Sequence, residues 1–115
     1  MDLFGKAKEI NLITESMGDY LEENEGEGYG INDIERCRDI LQRYIALLQY
    51  NKNDELKIIA DIKTVVIELN ELNEELDYAL IETDQREDLC EFILAAAAEA
   101  GLTRQGDITE KWREW

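Results

Sequence analysis

Apolar side chains recur at every third or fourth position along nearly the whole chain, and that spacing fits one face of an α-helix and no strand. Leu3, Ala7, Ile10, Ile13, Met17 and Tyr20/Leu21 predict a first helix over 3–23. It ends at Asn24-Glu25-Gly26-Glu27-Gly28-Tyr29-Gly30, where three alternating glycines break any regular element. Asn32, with Glu35 three residues on, is the expected capping box of a second helix over 33–50, with Ile31 as its staple. The apolar stripe of that helix is Ile34, Cys37, Leu41, Tyr44 and Leu48.

Asn51 to Asp54 read as a turn. From there Ile58, Ile59, Ile62, Val65, Val66, Leu69, Leu72, Leu76, Ala79 and Leu80 keep the helical period, predicting a long third helix over 54–82. The stripe is too wide for a coiled-coil seam and suits a helix at the centre of a bundle. Asp84 with Glu87 is the expected cap of a fourth helix carrying Leu89, Cys90, Phe92, Ile93, Ala96, Ala97 and Ala100, with Gly101 and Leu102 as its Schellman end. Asp107 with Glu110 opens a short last helix that ends in Trp112-Arg113-Glu114-Trp115, whose tryptophans are expected to dock the C-terminus on the bundle. With 115 residues and no internal linker, the expectation is a single acidic all-α domain over 1–115: four main helices, a long central third one and a short C-terminal one.

Charge excludes several functions. Twenty-eight acids against twelve bases give a net charge of -16. Direct nucleic-acid binding works through Lys and Arg on phosphates, so it is not expected, nor is docking on an anionic membrane. No window is long and apolar enough to span a bilayer, and a secretory leader is not expected from the first residues, which lack a long apolar run. Cys37 and Cys90 are too few for a disulfide framework and read as reduced core residues of a cytoplasmic protein.

Enzyme chemistry finds little support. The chain contains no histidine, which removes the commonest general base and the Glu-x-x-His pairs of di-iron bundles. Helical nucleotide pyrophosphatases hold magnesium with Glu-Glu-x-x-Glu and a later Glu-x-x-Asp. Here Glu87-Asp88-Leu89-Cys90-Glu91 is a degenerate first half, and the one Glu-x-x-Asp, Glu74 to Asp77, lies upstream of it. An EF-hand register on Gly28 would place Ile34 where the bidentate glutamate belongs. Cys90 has no histidine to activate it, and no phosphate-binding or nucleophile-elbow motif occurs. No catalytic residue, metal or cofactor is expected.

The charge is also uneven. Residues 31–53 hold three acids and four bases, whereas 54–83 hold nine acids and two. The arginines of the second helix, Arg36, Arg38 and Arg43, are expected to pair with an acidic neighbour. On the third helix Asp61, Glu68, Glu75 and Glu82 fall seven apart with Glu71 between, forming an acidic ridge. Like charges at that spacing repel by a few tenths of a kcal/mol per pair, so local stability alone does not explain them. Ile67 and Tyr78, eleven apart, would share a helical face beside Glu71 and Glu74, either covered by another helix or forming an apolar anchor in an acidic rim.

The candidate partner-binding set is therefore Asp61, Glu68, Glu71, Glu75, Glu82, Ile67 and Tyr78, joined by the Glu22–Glu27 segment. Its expected occupant is a basic protein. In size and charge, though in no motif, the chain resembles bacterial immunity proteins. That resemblance implies a stoichiometric inhibitor whose carboxylates stand in for phosphates in the groove of a nuclease toxin, or a DNA mimic of the same kind. A self-associating helical adaptor, with the third helix paired to a copy of itself, is the alternative; a Mg- or Mn-dependent enzyme ranks third.

Overall fold

A computed structural model describes residues 5–23, 29–104 and 106–115, and only the backbone of 20–23. The expected helical start at Leu3, the Glu/Gly segment 24–28 and the carboxylates of Glu22–Glu27 lie outside the described residues or side chains. Four helices follow one another: α1 (Ala7–Glu23), α2 (Ile31–Tyr50), α3 (Glu55–Glu75) and α4 (Thr83–Ala100), then a 3₁₀ turn, Ile108–Lys111. The chain is an all-α bundle, as the spacing predicts. Among the described residues no helix is long and apolar enough to cross a membrane.

One core runs through the bundle. Met17, Cys37, Leu41, Leu48, Ile58, Ile62, Val66, Leu69, Leu89 and Ile93 are fully buried in it. The surface area of 6614 Å² agrees with the roughly 6,400 Å² that size scaling gives for a chain of this mass. The central helix is α2, which packs on α1, α3 and α4, and not the expected third one: α3 packs mainly on α2, α4 and the 3₁₀ turn. Polar bonds tie the pieces together. The Tyr44 hydroxyl donates to the Ile93 carbonyl at 2.7 Å, and that of Tyr29 to the Met17 carbonyl at 2.7 Å. Asn70 holds the C-terminus, donating to the Trp112 carbonyl at 2.7 Å and accepting from the Glu114 N–H at 3.1 Å. Trp112 and Trp115 pack on the core as expected, although beyond the 3₁₀ turn rather than on a helix.

Helix ends are where the structure departs from the periodic reading. α2 starts two residues early: the Gly30 N–H donates to the Asp33 carboxylate at 2.9 Å, so Gly30 and Asp33 take the roles expected of Asn32 and Glu35, and Ile31 is exposed rather than a staple. α4 also starts early, with the Glu82 N–H donating to the Gln85 side chain at 3.2 Å in place of Asp84 and Glu87. At the other end the expectation holds. Gly101 takes φ 121 and the Leu102 N–H donates to the Ala97 carbonyl at 3.0 Å. Asn53 crowds this cap: its N–H donates to the Ala100 carbonyl at 2.7 Å, and a Cβ on Gly101 would lie 3.0 Å from its side-chain oxygen.

The third helix is the main correction. It stops at Glu75, not at residue 82. Asp77 and Tyr78 both have left-handed backbones, φ 54 and 64, and the Tyr78 N–H donates back to the Asn73 carbonyl at 2.7 Å. The Asn73 side chain, 1% exposed, then accepts from the Ile81 N–H at 3.0 Å. Leu80 and Ile81 still reach the core, but through a turn.

Candidate protein-binding surface

α2 and α3 run antiparallel, and their charges meet in register. Arg36 lies 2.6 Å from Glu75, and Arg43, two turns on, lies 2.7 Å from Glu68. Arg43 also bonds Asp39 at 3.0 Å. The floor of the groove between these residues is Ile40 and Leu72, and Glu71 sits on its edge. Arg38 turns the other way, to the side chains of Asn11 and Thr14 on α1. The expected pairing of the second helix with an acidic neighbour is thus present, and it uses two members of the acidic ridge.

The remaining ridge members separate. Asp61 is 6% exposed and accepts from the Asn51 amide at 2.8 Å, while burial pushes its carboxyl up from the ordinary range. It belongs to the core edge and not to an exposed ridge, because its position on α3 points to the end of α2 rather than to solvent. Glu82 lies beyond α3, exposed at the start of α4. Ile67 is half-buried on α3 and Tyr78 lies in the turn after it, so the two share no helical face. Glu71 alone keeps the place the period gives it, exposed and without an ion pair among the described residues.

The turn after α3 carries an exposed aromatic within an acidic stretch of sequence. Tyr78 is 52% exposed, on a turn fixed by two bonds from Asn73. Around it in sequence stand Glu71, Glu74, Asp77 and Glu82, all exposed and none in an ion pair among the described residues. A bend built from two non-glycine left-handed residues is a strained feature that a packed asparagine holds in place, and such features concentrate at functional sites. Sequence reasoning missed Asn73, since asparagine within an apolar period gives no sign of being buried. The acids of α4, Asp84, Glu87, Asp88 and Glu91, fall at three- and four-residue spacing and form no ion pair among the described residues. In the sequence they read only as a helix cap, Asp84 with Glu87, and as the degenerate metal motif.

Neither cysteine is placed for chemistry. Burial pushes the Cys37 thiol up to about 12, and Cys90 is half-buried with its sulfur 3.7 Å from the Thr109 hydroxyl. Among the described residues no group of three or more Cys, Asp or Glu is arranged to hold a metal ion. Comparison with known families, curated proteins and solved structures finds no match to this chain.

Proposed function

We propose that this chain is a non-catalytic acidic protein-binding module, a stoichiometric inhibitor of a basic protein such as a nuclease, acting where both of its free cysteines stay reduced, in the cytoplasm. The observation that carries the reading is the corner at Tyr78: a half-exposed aromatic on a pinned turn, flanked in sequence by the exposed carboxylates of Glu74, Asp77 and Glu82, none in an ion pair among the described residues. An aromatic anchor at the centre of a charged rim is the usual composition of an interaction hot spot. Unpaired carboxylates of one sign raise the association rate with a cationic surface and select against other partners. Glu68 and Glu75, held by Arg43 and Arg36, contribute shape and register rather than free charge.

Self-association through α3 has less to draw on. Its apolar residues Ile58, Ile62, Val65, Val66, Leu69 and Leu72 are buried within the bundle, which leaves Leu56 as its one large exposed apolar side chain among those described. The test is affinity capture from source lysate at low salt, with elution at about 1 M NaCl, where the Debye length is roughly 3 Å. It is run in parallel with Glu74→Lys/Tyr78→Asn, asparagine being tolerant of the left-handed backbone. The expected result is one basic protein in stoichiometric yield with the wild type and a large loss with the variant. Equal yields from both would overturn the assignment of this corner.

A further inference from the structure

α1 and α4 are antiparallel, joined near one end by Lys6 and Glu99 at 2.8 Å and near the other by Gln85 donating to Ser16 at 3.5 Å. Between these ties the helices open into a groove of about 280 Å³. Ile13 and Phe92 form its apolar floor, and Leu12, 56% exposed, lines it opposite Ala95. Its charged lining is Glu9, Asp88 and Glu91, none of which forms an ion pair among the described residues. Lys6, the one base of its lining among the described residues, is already held by Glu99.

The two halves of this lining call for one kind of occupant. One Glu9 carboxylate oxygen has neither solvent contact nor, among the described residues, a hydrogen-bond partner, an open acceptor of the kind that charged donors fill. Asp88 is pushed up by burial and then by the charges of Glu91, Asp84 and Glu87, so the groove is short of positive charge. Leu12 and Ala95, both exposed, would gain by being covered, and a small inorganic cation cannot do that. We propose that the α1/α4 groove is a docking site for a basic amphipathic helix of a protein partner. Its leucine-type residues lie on Leu12, Phe92 and Ala95, and its Lys or Arg head groups reach Glu9, Asp88 and Glu91. A second copy of this chain, at a net charge of -16, is the wrong sign for that place. The inference rests on the reading that the partner is basic, but it concerns a surface separate from the Tyr78 corner.

The test is a titration of the isotope-labelled full chain with a synthetic helical peptide of about sixteen residues, followed by NMR. The peptide has leucines at i, i+3 and i+4 spacing with Lys and Arg between them, and a control replaces each leucine by serine at unchanged charge. The expected result is saturable binding with shifts centred on Leu12, Asp88, Glu91 and Ala95. Binding should be about tenfold or more weaker for the serine control, and for Leu12→Ser and Glu91→Lys, two exposed positions whose variants keep the helical circular dichroism. Equal binding of the two peptides, or shifts confined to 71–82, would overturn the groove and leave a basic partner at the Tyr78 corner intact. No binding of either peptide would also overturn the groove, while capture of a protein that Tyr78→Asn weakens would still uphold the function proposed above.

Discussion

The buried side chain of Asn73 accepts the backbone N–H of Ile81 at 3.0 Å, and this bond ends the third helix. Without it the Ile81 N–H would be buried with no partner. Asn73→Ala should therefore destabilise the fold by about 1–3 kcal/mol in urea unfolding, with faster amide exchange at Ile81. Unchanged stability and exchange would mean that the turn is held by something else.

Arg43 with Glu68 and Arg36 with Glu75 are partly exposed, so their worth is small. A double-mutant cycle on Arg43 and Glu68, each changed to alanine, should give about 0.2–1 kcal/mol of coupling, falling with added salt. Reversing Glu68 and Glu75 to lysine would set each lysine against an arginine, so loss of partner binding in such a variant would mix a surface effect with a strained α2/α3 contact. Coupling well above this range would identify the pairs as structural anchors.

Asp61 gives a pH prediction. Burial pushes its carboxyl up, opposed by the Asn51 amide bond. A carboxyl whose pKa rises on folding binds its proton more tightly in the native state, so it costs stability above its folded pKa. That cost fades as pH falls through the folded value toward the unfolded one. Asp61→Asn should be more stable than wild type at pH 7, with the gap closing in acid. A variant less stable than wild type at pH 7 would show that the charged form is the one the fold favours.

Leu69 lies fully buried on α3, as its period predicts. Leu69→Ala should cost about 2–5 kcal/mol. A thermal midpoint equal to that of wild type would contradict its burial.

The apolar period was enough to place the helices and their buried faces, because a repeat of three and four leaves little choice of which side packs inward. It could not place their ends. Leu76, Ala79 and Leu80 continue the spacing through a segment that is a turn, and neither glycine nor proline marks the break. The stop depends on Asn73 reaching Ile81 eight residues away, which is a tertiary bond. The straight acidic ridge is broken up for the same reason. Seven-residue spacing put Asp61, Glu68, Glu75 and Glu82 on one line, but the core took Asp61, α2 took Glu68 and Glu75, and the turn carried Glu82 to another helix. The charge imbalance itself was legible, as was the pairing of the arginines of α2. Which carboxylates would be left unpaired was settled only by the packing of α2 on α3 and of α1 on α4.

The most direct test of an acidic protein-binding module is the affinity of the purified, captured partner, measured by calorimetry at about 0.1 M and 1 M NaCl for wild type and for Glu74→Lys/Tyr78→Asn. The account predicts a one-to-one complex that weakens steeply with salt and is at least about tenfold weaker for the variant at low salt. An affinity that neither salt nor the variant alters would contradict it.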